Sequence, residues 1–261
     1  MSRAPAIFVS HGAPTIAIED DAFTQALAAF GAGLVRPRAV VVVSAHWEAH
    51  GPIRIGSGVR PELIYDFAGF PDALYQLTYP APGTPELAQA IRERLKAAGI
   101  PAQLDPDRGW DHGVWVPLRL MLPAADVPVV EVSQPLPRTA SEMIALGRAL
   151  GGLRDEGVAI LGSGGVVHNL ATLAWGHKDA PAAAWAGAFD DWVWSELEGR
   201  EESALAGYRA AAPYAERAVP TSEHFDPLLV TLGARLPGDQ LRLVHAGFQY
   251  ATLSMRSFAF A

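Results

Sequence analysis

Short apolar runs alternate with helical periodicity along most of the chain. Ala6 to Val9 and Ala39 to Val43 are runs of β-branched and aromatic residues, the second nearly all valine, as expected for a strand covered on both faces. Val127 to Val132 and Val158 to Leu161 read the same way. Between them the spacing predicts helices over Asp21 to Leu34, Pro85 to Ala98, Ser141 to Leu153 and Ala182 to Leu197. In the second of these Leu87, Ile91 and Leu95 recur every fourth residue, Pro85 suits the first turn and Gly99 the stop. A further helical pattern covers Asp226 to Leu236. The tail, Leu241 to Val244 and then Gln249 to Phe260, reads as antiparallel edge strands broken at Gly247. Strands separated by helices predict an α/β fold: a single domain over residues 1–261, its central largely parallel or mixed sheet covered by helices on both faces. No repeat, low-complexity tract or polar linker divides the chain.

Composition narrows the partners. With 261 residues, 50% hydrophobic and 18% charged, the chain can bury a large core. A net charge of −8 and the mainly acidic run Glu198 to Glu202 repel phosphate backbones and anionic lipid, so neither nucleic acid nor a membrane is an expected partner. Cysteine is absent, which leaves nitrogen and oxygen as the strong ligands for any metal. The N-terminus lacks the apolar stretch of a signal peptide, and no segment approaches ~20 apolar residues, so a cytoplasmic protein is expected. No heptad or repeat indicates an oligomeric state.

Candidate chemistry comes from histidine. His11, His46, His112, His168 and His224 each stand where a hydrophobic run gives way to a Gly-, Pro- or Trp-marked corner. Taken singly, each reads better as a polar core or surface residue, but five at such corners indicate one convergent metal or acid/base site. His11 and His46 follow predicted strands directly, and His168 follows one through Gly162-Ser163-Gly164-Gly165, so three fall at the carboxyl edge where open α/β sheets bind ligands. His112 is expected in a loop and His224 just before the last helix. Glu48, Asp111, Asn169 and Glu223, beside the histidines, are the expected partners for the second ring nitrogens. His50 and His177 are expected on the surface and His245 in the C-terminal strand. His46-Trp47-Glu48-Ala49-His50 superficially matches a zinc-protease motif, yet the glutamate is one place late and the segment follows a strand. Gly162 to Val167 lacks a P-loop lysine, and Ser163 lacks a full nucleophile elbow. Tyr65, Phe67, Phe70, Trp47, Trp110, Trp115 and Phe225 are divided between core packing and the wall of an aromatic-substrate pocket.

Six blocks in order carry a family resemblance: His11 to Pro14, Ser44 to Glu48, Ile64 to Pro71, Asp111 to Leu118, Gly162 to Leu170 and Glu223 to Leu228. Together, from residue 7 to about 250, they resemble the 4,5-DOPA-type extradiol dioxygenases of the class III extradiol ring-cleavage superfamily. The resemblance implies a mononuclear divalent metal, Fe(II) for activity or Zn(II) as found bound. It implies His11, His46 and His224 as ligands, with His168 as a fourth when no substrate is present. His168 and His112 match the acid/base pair. The wider superfamily holds its iron with two histidines and a carboxylate, which leaves Glu223 and Asp226 as alternatives to His224.

The implied reaction opens a catechol, DOPA-like, with O₂ to a muconic semialdehyde. His168 takes a catechol proton and His112 returns one as the ring opens. Arg60, Arg108 or Asp66 is expected to supply a counter-charge for the tail of the catechol. Two other readings use the same residues: a zinc-dependent hydrolase, and a non-enzymatic metal-site protein that acts through a partner.

Overall fold

The structure, a computed structural model, describes residues 3–261. The chain begins with β1 (Ala6–Ser10), α1 (Ala22–Ala32), β2 (Ala39–Ser44), β3 (Glu48–His50) and β4 (Ile53–Gly56). It continues through α2 (Pro85–Ala97), β5 (Ala102–Asp105), α3 (His112–Met121), β6 (Val129–Glu131), β7 (Gln134–Leu136), α4 (Ala140–Gly151) and β8 (Val158–Gly164). Four helices follow, α5 (Ala184–Gly199), α6 (Glu202–Ala206), α7 (Tyr208–Ala211) and α8 (Ala215–Ala218), then α9 (Asp226–Gly233). The chain closes with β9 (Leu241–His245), β10 (Phe248–Gln249), β11 (Leu253–Ser254) and β12 (Ser257–Phe260).

Six strands form the main sheet in the order β6-β2-β8-β1-β12-β9. The first four run parallel, and β12 and β9 are antiparallel, so the sheet is mixed. Successive residues of a strand face opposite sides. Ala6, Phe8, Val41, Val43 and Ile160 point to one apolar layer, shared with Leu87, Ile91 and Leu95 of α2 and with α4, α5 and α9. Ile7, Val9, Val40, Val42 and Leu161 point to the other, covered by α1 and α3 through Phe23, Leu27, Trp115 and Leu118. Every residue of β2 and β8 is buried, which accounts for the valines of the first and the apolar Val158 to Leu161 of the second.

The tail departs from the expected edge position. Residues 249–260 are not one strand, and β12 lies inside the sheet between β1 and β9, so of the tail's two strands in this sheet it is β9 that lies at an edge, opposite β6. Apolar alternation gives the strand type, whereas its neighbours depend on where α9 returns the chain. Among the described residues no helix is long and apolar enough to cross a membrane.

Candidate active site

Strand register sets the level of the site. Ser10 pairs with Gly164 and Ser44 with Ser163, so β1 and β2 end at the same height on either side of β8. His11 is the next residue beyond β1, and His46 the second beyond β2. His224 arrives on the approach to α9, which passes over β8 so closely that a Cβ at Gly164 would collide with the His224 carbonyl oxygen. The Gly165 N–H donates to that same carbonyl at 2.8 Å.

His112 is the first residue of α3, a correction to the expected loop. Asp111 offers no side-chain cap there. Instead Asp66, from the loop before α2, accepts the His112 N–H at 2.9 Å and satisfies one of the donors that a helix start leaves open. A carboxylate at that position also suits the positive end of the helix dipole.

These placements bring the five histidines of interest around one cavity. Ring centroids of His11, His46 and His224 are 4.9, 5.3 and 5.0 Å apart in the three pairings. Their ligand nitrogens all lie within 4.8 Å of one another. His112 packs at 4.1 Å from His46, and His168 stacks on His224 at 3.5 Å and 7°. His168 forms its own group with Glu223 and His224 and stands outside the His11, His46, His224 set.

The hydrogen bonds behind the rings assign their tautomers. Pro117 has no N–H, so the carbonyl four residues earlier, at Gly113, is free within α3. Ser163 Oγ donates to it at 2.5 Å, which leaves that oxygen to accept the His11 Nδ1–H at 3.0 Å. The His224 Nδ1–H donates to Glu223 at 3.0 Å, and His46 Nδ1 faces Asp66 Oδ2 at 3.5 Å. His11 and His224 therefore present a bare Nε2 inward, and His46 turns its Nε2 toward the same point. His46 Nε2 and His11 Nε2 are 3.0 Å apart, within hydrogen-bond distance of each other, and His224 Nε2 is buried without a partner. Burial, then the neighbouring histidines, hold His11 and His224 well below the usual imidazole pKa, and burial with His112 takes His46 down to about 4. Three neutral imidazoles whose Nε2 atoms converge on one point, that of His224 with no partner at all, fit a divalent metal ion.

The acid/base side differs. His112 Nδ1–H donates to Asp66 Oδ1 at 2.9 Å, which turns Nε2 toward the cavity. Burial raises the Asp66 pKa, but the bonds and charge of His112 outweigh it and hold the carboxyl down at about 2. His168 is lowered to about 4, mainly by burial and against the charge of Glu223.

The expected orienting groups divide. Glu223 supports His224 as anticipated. Glu48 instead pairs with Arg138, Asp111 accepts from Ser44 and Arg108, and Asn169 caps the turn at Leu170–Thr172. Asp226 pairs with Arg138 and belongs to none of the ligand groups that contain the three histidines. Two supports have other work in the sequence reading: Asp66, expected as a counter-charge, and Ser163, weighed only as a nucleophile. Asp66 has a usable signal in its place within the Ile64 to Pro71 block; Ser163 has one in ending a strand that His11 must flank. His50 and His177 are exposed and His245 lies in β9, all as expected. Of the aromatics, Phe67 and Phe70 line the cavity, while Trp47, Trp110, Trp115 and Phe225 are buried in the core.

The cavity holds about 230 Å³, small beside the roughly 300–1,000 Å³ of common ligand pockets, so it suits a compact molecule. Residues 5–261 match the family described as the catalytic LigB subunit of aromatic ring-opening dioxygenase. A 4,5-DOPA dioxygenase extradiol from Escherichia coli (strain K12) is 40% identical over 260 residues, 98% of this chain and 94% of the relative. One of the same description from Portulaca grandiflora is 40% identical over 261 residues, covering 97% and 94%. The crystal structure of an uncharacterized protein from Escherichia coli K12 superposes with a TM-score of 0.84 at 36% identity, over 99% of this chain and 100% of the other. With a family match over residues 5–261, relatives 40% identical over nearly the whole chain and a shared fold, this protein belongs to the LigB family of aromatic ring-opening dioxygenases.

Proposed function

We propose that residues 1–261 act as one catalytic domain that opens a compact, DOPA-like catechol with O₂ by extradiol cleavage. His11, His46 and His224 hold the metal through Nε2, with Fe(II) as the active ion and Zn(II) able to fill the same nitrogens. When bound, Fe(II) supplies Lewis acidity toward the catechol oxygens and redox access to O₂, which Zn(II) lacks.

The remaining work falls to the chain. His168, neutral at pH 7 and beside the set, takes a catechol proton. His112, held through Nδ1 by Asp66 with Nε2 turned to the cavity, donates toward the ring as it opens. Phe67 and Phe70 flank the ring and exclude water. Both oxygen atoms of O₂ enter the product, and the electrons come from the catechol, so no external reductant is needed. The names of the relatives support L-DOPA as the first substrate to try.

The observation that carries this reading is the trio of convergent, inward-facing Nε2 atoms at the base of an apolar cavity, that of His224 without a partner, with a carboxylate-backed histidine at its side. Protein stripped of metal, loaded anaerobically with Fe(II) and mixed with L-DOPA should consume O₂ and yield a yellow ring-opened product. The Zn(II)-loaded protein should do neither. Absence of uptake across a panel of catechols would remove the dioxygenase assignment for this site.

A further inference from the structure

We propose that this cavity takes catechols whose side chain carries no net negative charge and discriminates against those with an uncompensated carboxylate. The inference rests on the dioxygenase reading and concerns the tail of the substrate, not its ring.

The cavity lining, as far as the described residues go, contains no lysine or arginine. Away from the histidines the wall is Phe67, Phe70, Leu173 and Leu253, and the mouth is Leu170 and Trp175, 55% and 54% exposed. Cations on bordering elements are committed elsewhere. Arg108 is bonded to Asp111 and Glu131 and lies over the Trp47 ring, which removes the counter-charge expected from it. Lys178 pairs with Glu19 and Asp21, and Arg217 lies 4.4 Å over the Trp185 ring. Arg60, the other expected cation, is exposed and does not line the cavity.

In the proposed site the charge of the bound ion would be met by the deprotonated catechol oxygens, which leaves none for the tail, and the fixed side-chain charge of the lining is negative. Asp66 lines the cavity as a carboxylate, and Glu223 stands behind His224. A catechol adds negative charge of its own once its oxygens lose protons. A tail carboxylate on such a ring would give up part of its hydration against Phe67, Leu170 and Trp175 without gaining a partner, which costs binding energy. An amide or alkyl tail avoids that cost, and the ammonium of the L-DOPA zwitterion offsets its carboxylate within the same tail.

The test uses two compounds of one shape, 3-(3,4-dihydroxyphenyl)propanamide and 3-(3,4-dihydroxyphenyl)propanoate, with L-DOPA alongside. On the Fe(II)-loaded enzyme the amide should exceed the propanoate in kcat/KM by about tenfold or more, chiefly through KM, with L-DOPA closer to the amide. Titration calorimetry with the Zn(II)-loaded protein, which does not turn over, should show the same order in Kd. Leu170→Lys should narrow the amide-to-propanoate ratio. Equal Kd and equal kcat/KM for the pair would overturn the proposal while leaving the dioxygenase reading intact. If no compound were turned over, the dioxygenase reading would fail and calorimetry alone would decide the charge preference, with equal or absent binding counting against it.

Discussion

One oxygen of Asp66 holds His112 twice: Oδ1 accepts both the backbone N–H and the Nδ1–H, each at 2.9 Å. The start of α3 and the orientation of its first side chain are thereby set by a single distant carboxylate. Asp66→Asn keeps the size of the group but replaces its acceptor charge. The variant should retain stoichiometric metal while turnover falls by about 100-fold or more, the range expected for loss of a general acid. Metal analysis beside O₂ uptake separates the two effects, and Asp66→Glu should restore part of the rate. Unchanged turnover in Asp66→Asn would end the role given to the His112–Asp66 pair.

The three inward nitrogens should respond differently from the acid/base pair. His11→Ala, His46→Ala and His224→Ala should each weaken metal binding by roughly 100-fold or more, beyond the 10–100-fold of a typical supporting residue. His112→Phe should leave the metal content at one per chain and lower only the rate. Elemental analysis of the purified variants decides this, and a stoichiometric ion in His11→Ala would take that residue out of the ligand set.

Ser163 links two otherwise separate parts of the fold, accepting from His11 and donating to the Gly113 carbonyl that Pro117 leaves free. Ser163→Ala strands a buried N–H and a buried carbonyl. The cost should be about 1–3 kcal/mol of stability and a tenfold or greater loss of metal affinity. Urea unfolding and a competition titration with a chelator measure these. Ser163→Thr, which keeps the hydroxyl, should recover affinity better than stability, because Ser163 is fully buried and a methyl has little room.

Acid sensitivity should have a component far from the site. Arg154 is fully buried and pairs with Asp239, whose carboxyl also accepts the Leu236 N–H at 2.7 Å. Burial raises the Asp239 pKa, but the bonds from Arg154 and Leu236 prevail and hold it below its ordinary 3.8. A carboxyl depressed on folding adds stability above its unfolded pKa and loses it as pH falls below that value. Asp239→Asn leaves the guanidinium buried without a counter-charge and should cost on the order of 3–5 kcal/mol at pH 7. The gap in melting temperature between wild type and variant should shrink as pH falls below 3.8, since the wild type then loses the same charge. A gap that stays constant down to about pH 2.5 would show that the pair does not titrate with folding.

What could be read from the chain alone follows the range of the physical signal. The valine run of β2 and the mixed run of β8 announce strands buried on both faces, and His11 and His46 announce themselves by following strand ends. Those signals are local. The neighbours of β12 are not, because a strand's apolar alternation is the same at an edge and in the interior. The start of α3 is hidden for a similar reason: its first N–H is satisfied by Asp66, 46 positions earlier, and no residue beside His112 reports it. The orienting groups show the same limit. Glu223 is adjacent to the ring it supports, whereas Ser163 reaches His11 across 152 positions and Asp111, adjacent to His112, serves Ser44 instead.

The position of β1 has a consequence for how the site is lost. The strand that delivers His11 is flanked by β8 on one side and by β12 on the other, and its hydrogen bonds are complete only when residues from 158–164 and 257–260 are docked. Such long sequence separation implies slow formation, and it removes any local route by which His11 could detach. Amides of Ile7 and Val9 should exchange with solvent only through global unfolding. Occupancy of the histidine set is thus a report on the whole fold, and a protein that binds its ion is one in which both ends of the chain have already found each other.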